Sequence, residues 1–199
     1  NQFATHTDFK TNIITEIAAT LAFSATSNND KIGLMLFTDQ IELYIPPKKG
    51  RSHVLRIIRE LLEFQPKSKA TNLSLAFKYM VDVLKKKAIV FVLSDFMSGD
   101  YEHTLKIAAK KHDLTGIRVF DQGETEIPNM GLVQLADAES GQLTWVNTSS
   151  KTTRNAYAKH YQQQVNYFKK AFKLSGSGHI DCRVDQSYVK KLLAYFKAR

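Results

Sequence analysis

The most apolar run in the chain, residues 88–93, constrains the fold more than any other feature. Its sequence is Ala88-Ile89-Val90-Phe91-Val92-Leu93, and the polar pair Ser94-Asp95 follows it. A strand that is apolar at every position is typical of a parallel strand covered on both faces. The run therefore predicts a central strand of an α/β sheet with helices on both sides.

Helical and strand patterns alternate from Asp8 to Phe120. Asp8 is a candidate N-cap for a helical segment, and a second apolar run, residues 32–37, predicts another buried strand. Residues 41–45 alternate apolar with polar and stop at Pro46-Pro47, as an antiparallel edge strand would. The order of elements predicts a doubly wound, mostly parallel sheet, whose ligands lie beyond the carboxyl ends of the strands.

The pattern changes after residue 122. Two strand-like runs within residues 132–146 flank Ala138-Glu139-Ser140-Gly141 and predict a hairpin. A long helix over about residues 151–174 follows, then a strand near 180–184 and a last helix. We therefore expect one domain, with a core over residues 1–122 and a C-terminal hairpin and helix extension over residues 123–199.

The net charge of +9 raises the question of a nucleic-acid partner. Lys85-Lys86-Lys87 and Lys110-Lys111-His112 each fall at the end of a predicted helix, where cations complement the helix dipole. No stacking aromatics recur among the basic residues, as a single-strand binder requires. We favour the helix-end explanation and keep a basic nucleic-acid-binding domain as an alternative.

The single cysteine, Cys182, lies in an apolar/polar alternation that predicts a buried strand position. One cysteine allows no internal disulfide, which favours a reducing, cytoplasmic setting. No apolar run approaches the roughly 18 residues that span a bilayer.

Motifs for catalysis are missing from the sequence. There is no glycine-rich phosphate-binding motif and no nucleophile elbow, and the six histidines have no zinc-ligand spacing. We therefore predict that the chain is not an enzyme. A metal-dependent hydrolase using Asp95 is a weaker alternative, because no second acid or histidine stands at a suitable spacing.

Two loops carry the strongest candidates for a site. Thr71 precedes a predicted helix, and Asp95 follows the apolar strand. Thr71 is also a candidate helix N-cap, and Asp95 a candidate turn carboxylate. The functional alternative is that both converge at the carboxyl edge of the sheet and offer oxygen ligands to a hard cation such as Mg²⁺.

Several motifs, taken in order, closely resemble domain-of-unknown-function family fifty-eight. Its members are bacterial von Willebrand factor A-like proteins, often encoded beside MoxR-type AAA+ ATPases. The resemblance covers nearly the whole chain. The matching segments are Phe23-Ser24-Ala25, residues 29–39, residues 44–50, His53-Val54-Leu55, Thr71-Asn72-Leu73, residues 93–96, residues 127–132, residues 137–141 and residues 195–199.

The resemblance implies a von Willebrand factor A-like (Rossmann-like) fold and a metal-ion-dependent adhesion site. That site combines a D-x-S-x-S motif with a threonine and an aspartate on later loops, which Thr71 and Asp95 match. In the family pattern, an acidic side chain of a protein partner completes the metal's coordination. The neighbouring residues Thr38, Asp39, Asn72 and Phe96 are candidates to contact that partner.

The D-x-S-x-S motif itself is absent, because the chain begins just after its position in the family. We expect the principal metal ligands and the first, central strand to be missing. Mg²⁺ is expected only in a longer parent protein, and no cofactor is expected to bind tightly here. The resemblance implies a non-catalytic interaction module that acts with a MoxR-type ATPase in the assembly or activation of protein complexes.

Overall fold

The computed structural model describes the backbone of residues 2–136 and 143–198, and the side chains of residues 9–134 and 143–198. The elements follow one another as α1 (Gln2–Ser27), β1 (Ile32–Phe37), β2 (Ile41–Lys48), α2 (Arg51–Glu63), α3 (Leu73–Val83), β3 (Ile89–Ser94), α4 (Glu102–Lys111), β4 (Asp113–Phe120), a 3₁₀ turn (Gln122–Glu124), β5 (Leu132–Ala136), β6 (Leu143–Asn147), α5 (Lys151–Leu174), β7 (Gly178–Arg183) and α6 (Tyr188–Lys197).

A three-stranded parallel sheet, in the order β3-β4-β7, forms the centre of the structure. The middle strand is β4, whose residues 114–119 are all buried. The apolar run 88–93 was expected to be the central strand, but it supplies β3, which is paired on one edge only among the strands that the structure describes. In β3 only Val92 is buried.

Helices cover both faces of this sheet, as predicted. On one face Leu114 packs with residues of α3, α4 and α5, including Phe77, Leu105 and Phe172. On the other face lie Ile117 and Val119 of β4, with Ile17 of α1 and Leu192 of α6. Successive strand residues point to opposite faces, so one strand contributes to two separate apolar cores.

The strands β1 and β2 form a separate antiparallel pair, so the expected single continuous sheet is not formed. Among the described residues, β1 has no strand hydrogen-bonded to its second edge. Met35 and Phe37 of β1 nevertheless pack against the core that contains Val92 of β3, and α1 contacts both strands. Strands β1 and β3 therefore share an apolar core and a covering helix, although they belong to different sheets.

The edge strand β2 was predicted to stop at Pro46, but it continues to Lys48. The register shifts between the pairs Ile32↔Lys48 and Leu34↔Ile45, which gives β2 one extra residue there. Such a bulge tolerates Pro46 and Pro47, which cannot donate to a ladder.

The helix α1 begins at Gln2, so the prediction that it starts at Asp8 is wrong. The long helix α5 begins and ends where the periodicity indicated. Within the part of the chain that the structure describes, no helix has the length and apolar character needed to cross a bilayer.

The segment after residue 122 joins the same sheet and the same core. Strand β7, which holds the buried Cys182, pairs with β4, and Phe168 and Phe172 of α5 complete one apolar cluster. The strands β5 and β6 pair as the predicted hairpin. The residues expected to form its turn lie outside the described residues.

Candidate functional site

Three loops meet at the carboxyl ends of β1 and β3, and we call this surface the carboxyl rim. It comprises residues 38–40, 67–72 and 95–100. The backbone N–H of Asn72 donates to the carbonyl of Thr38 at 3.0 Å, and the hydroxyl of Ser98 donates to the carbonyl of Thr71 at 2.9 Å. These bonds bring the Thr71 loop to the loop that begins with Asp95.

Asn72, rather than Thr71, caps helix α3. Its Oδ1 accepts from the N–H of Leu75 at 2.9 Å and so satisfies one of the free donors at the helix start. The alternative role of Thr71 as an N-cap is therefore wrong. Asn72 is exposed, but its side-chain oxygen is already engaged in the cap.

Thr38 is buried, which does not fit its predicted role as a partner contact. Its side chain is turned inward, and its hydroxyl donates to Oε1 of Glu42 at 2.9 Å. The same carboxylate oxygen accepts from the N–H of Lys67 at 3.1 Å, so it ties two of the rim loops together. Asp39, the next candidate, is exposed on the rim.

Phe96 belongs to the core, which does not fit its predicted role as a partner contact. Its side chain is fully buried, and its ring stacks on Phe168 with centroids 4.3 Å apart. Its φ of 57° lies in the left-handed region, which reverses the chain after Asp95 and turns the ring inward. Sequence position alone gave no sign of this reversal.

Asp95 forms an ion pair with Lys10 of α1. Asp95 Oδ2 accepts from Lys10 Nζ at 2.9 Å, and its Oδ1 accepts from the N–H of Met97 at 3.1 Å. Lys10 Nζ also lies 3.0 Å from Oε1 of Glu124 in the 3₁₀ turn. One ammonium therefore joins α1, the loop after β3 and the turn after β4.

The electrostatics favour the charged forms of Lys10 and Asp95. Burial lowers the pKa of Lys10, but the charges of Asp95 and Glu124 outweigh burial and raise it above its usual value. Burial raises the pKa of Asp95, and the charge and hydrogen bond of Lys10 more than reverse this, so the net shift is downward. Sequence analysis missed Lys10 and Glu124, because no local pattern pairs residues separated by 85 and 114 positions.

The residues present at the rim do not fit a magnesium site. Mg²⁺ requires several oxygen ligands in near-octahedral geometry. Among the residues that the structure describes, no group of three or more histidine, cysteine, aspartate or glutamate side chains is placed to hold a metal ion. Asp95, the acidic candidate ligand, already binds an ammonium.

Basic residues occupy both ends of the parallel sheet. Lys67 and Lys69 are exposed on the carboxyl rim. At the opposite end Lys85, Lys86 and Lys87 line a cavity of about 340 Å³ together with Lys111 and the buried His112. Lys110 and Lys111 lie in the last turn of α4, as expected for cations that complement a helix dipole.

The chain is similar to several mycobacterial proteins that are each described as uncharacterized. The chain is 24% identical over 135 residues to the uncharacterized protein Rv1480 of Mycobacterium tuberculosis; the match covers 66% of this chain but only 43% of that relative.

Two solved structures share the fold. One is the conserved hypothetical protein BatB from Bacteroides thetaiotaomicron, with a TM-score of 0.51, 17% identity, and coverage of 90% of this chain and 84% of that one. The other is an aerotolerance-related membrane protein from Bacteroides fragilis, with a TM-score of 0.51, 16% identity, and coverage of 90% and 85%.

A family model matches residues 1–167, which is most of the chain. The chain therefore belongs to the family described as protein of unknown function DUF58.

Proposed function

We propose that this chain is a non-catalytic protein-interaction module of the von Willebrand factor A type, and that the carboxyl rim is its binding surface. The observation that carries the proposal is the hydrogen-bonded convergence of the three rim loops, through Asn72 and Thr38 and through Ser98 and Thr71. In open α/β sheets, ligands bind beyond the carboxyl ends of the strands. Membership of DUF58 and the fold shared with BatB support this assignment.

The partner we propose is a protein that presents acidic side chains. Lys67 and Lys69 are exposed on the rim, and the chain carries a net charge of +9, so an acidic surface is attracted to it. By resemblance, the partner is a MoxR-type AAA+ ATPase, and the pair acts in the assembly or activation of protein complexes. Thr71 and Asp95 remain the positions at which a longer parent protein would complete an adhesion-type metal site.

The test measures binding of the MoxR-type ATPase from the same organism to the immobilised chain by biolayer interferometry. We expect the rim variant Lys67→Glu/Lys69→Glu to weaken binding by at least about tenfold, because two favourable charge contacts become repulsive. The matched control, Lys85→Glu/Lys86→Glu, makes the same charge change at the opposite end and should bind as the wild type does. Equal loss in both variants, or no binding with or without magnesium, would contradict the proposal.

One observation favours nucleic-acid binding as a second candidate function. The consecutive residues Lys85, Lys86 and Lys87 line one cavity together with Lys111, which comes from a separate part of the sequence. Binding to phosphates would weaken steeply with salt, in proportion to the number of phosphates neutralised. Binding of single- and double-stranded oligonucleotides at several salt concentrations tests this, and here Lys85→Glu/Lys86→Glu is the sensitive variant.

A further inference from the structure

Lys10 of α1 contacts the carboxyl rim at Asp95 and also binds Glu124 of the 3₁₀ turn. Its Nζ lies 2.9 Å from Asp95 Oδ2, 3.0 Å from Glu124 Oε1 and 3.3 Å from Glu124 Oε2. Its side chain is only 15% exposed, so solvent screens these contacts weakly. The two carboxylates belong to different loops, and the ammonium is their shared counter-charge.

The surroundings of the cluster are already hydrogen-bonded. Asp95 Oδ1 accepts from Met97 N–H, and Glu124 Oε2 accepts from the N–H of Asp121 at 3.4 Å. The hydroxyl of Tyr157 donates to the carbonyl of Glu124 at 2.9 Å, which fixes the turn that carries this carboxylate. The cluster is therefore held from three sides by hydrogen bonds of the chain itself.

Lys10 and a divalent ion would compete for Asp95 Oδ2. A Mg²⁺ ion lies at roughly 2.0–2.1 Å from its oxygen ligands. An ion at that distance from Asp95 Oδ2 would compete for the space around Lys10 Nζ, and the two positive charges would repel each other strongly in a partly buried site.

We propose that Lys10 takes the place of a divalent cation at Asp95 in this chain. Its ammonium neutralises Asp95 and Glu124, so the attachment of α1 to the rim depends on a side chain rather than on a metal. This inference holds whether or not the rim binds the partner proposed above, and its test uses no partner.

The first experiment is a double-variant comparison of thermal unfolding. We expect Lys10→Met to lower the melting temperature by about 4–10 °C, because it leaves the carboxylates of Asp95 and Glu124 without their shared counter-charge. Asp95→Asn should lower it by less, because Lys10 keeps Glu124 as a partner. The double variant should melt no lower than Lys10→Met alone, because the asparagine removes one of the two carboxylates left unpaired by the loss of Lys10. The control is the exposed pair Lys106 and Glu102 on α4, where Lys106→Met should change the melting temperature by less than about 1 °C.

The second experiment measures Mn²⁺ binding by electron paramagnetic resonance. We expect Lys10→Met to bind Mn²⁺ at least about tenfold more tightly than the wild type, and Asp95→Asn in that background to abolish the gain. The proposal is overturned by the following result: the wild type binds Mn²⁺, Asp95→Asn abolishes that binding, and Lys10→Met leaves it unchanged. It is also overturned if the melting effects of the two single variants simply add.

If Lys10→Met does not fold, Lys10→Arg replaces it in the melting experiment. Lys10→Arg keeps the positive charge and should melt close to the wild type. A fall in melting temperature as large as that of Asp95→Asn would then count against the proposal.

Discussion

Arg118 on β4 and Asp181 on β7 are register partners in the parallel sheet, and Arg118 Nε donates to Asp181 Oδ1 at 2.6 Å. Arg118 is 4% exposed, and its guanidinium also lies over the ring of Phe120 and donates to the hydroxyl of Tyr161. Lys169 of α5 reaches the second oxygen of Asp181 at 2.8 Å. This network joins two strands and the long helix.

Replacing the carboxylate of this network should destabilise the fold. In Asp181→Asn the guanidinium of Arg118 stays buried without its counter-charge, and we expect the free energy of unfolding to fall by about 2 kcal/mol. This is less than the cost at a fully buried pair, because Asp181 is 28% exposed. Urea denaturation measures the change. The control is Asp185→Asn, which breaks an exposed pair with Arg183 and should cost less than about 0.5 kcal/mol.

The same carboxylate should make stability depend on pH in the acid range. Burial raises the pKa of Asp181, but the hydrogen bonds and charges of Lys169 and Arg118 outweigh it, so the pKa lies below its usual value of 3.8. A lowered pKa in the folded state adds stability that is fully present above the unfolded pKa and is lost as the pH falls through the folded pKa. Urea denaturation from pH 6 down to pH 3 should therefore show a decline that begins near pH 4. The decline should be smaller in Asp181→Asn, and an identical pH profile would contradict the assignment.

Gly116 is required by the packing of α5 on β4. A Cβ at this position would lie 2.6 Å from Phe172 Cε1 and 2.9 Å from Phe168 Cε2, closer than side-chain carbons approach one another. Gly116→Ala should force two buried rings to move and cost about 1–3 kcal/mol. Gly99 in the exposed rim loop has nothing within 4 Å of the same atom, so Gly99→Ala is the matched control. If both variants unfold at the same urea concentration, the close contact is not present in solution.

Replacing Phe96 tests whether this residue stabilises the core or contacts a partner. Its ring is fully buried among Phe168, Phe172 and Tyr101, so Phe96→Ala should lower the free energy of unfolding by about 3–5 kcal/mol. Phe23 on α1 is half exposed, and Phe23→Ala should cost far less. Calorimetric melting curves of the two variants provide the comparison. If Phe96→Ala melts at the same temperature as the wild type, the result would support the prediction that Phe96 contacts a partner.

Local pattern was enough to place most elements. The bounds of α5 agree with the prediction because its periodicity is long, and because Ser150 caps its start and Gly176 adopts the positive φ typical of a helix end. The covering of both sheet faces also followed from the apolar run 88–93. The run could not predict which strands pair with β3, because strand pairing depends on segments far away in the chain. In the structure β3 lies at an edge of its sheet.

The candidate site could be predicted only in part for the same reason. Thr71 and Asp95 were found through the loops that carry them, but the cation that binds Asp95 comes from α1, 85 positions earlier. The roles of Thr38 and Phe96 depended on which way each side chain turned. That direction was set by a hydrogen bond to Glu42 in one case and by a left-handed backbone in the other.

Among the described residues, no strand pairs with the second edge of β1 or of β3. These two edges affect how the chain associates with other molecules. A free edge presents alternate N–H and C=O groups to any extended polypeptide, and here both edges belong to strongly apolar strands. Neither strand carries a lysine or proline within its bounds to discourage such pairing, whereas β2 carries both. Raising the concentration of this chain therefore favours intermolecular strand pairing at β1 and β3 over pairing at β2.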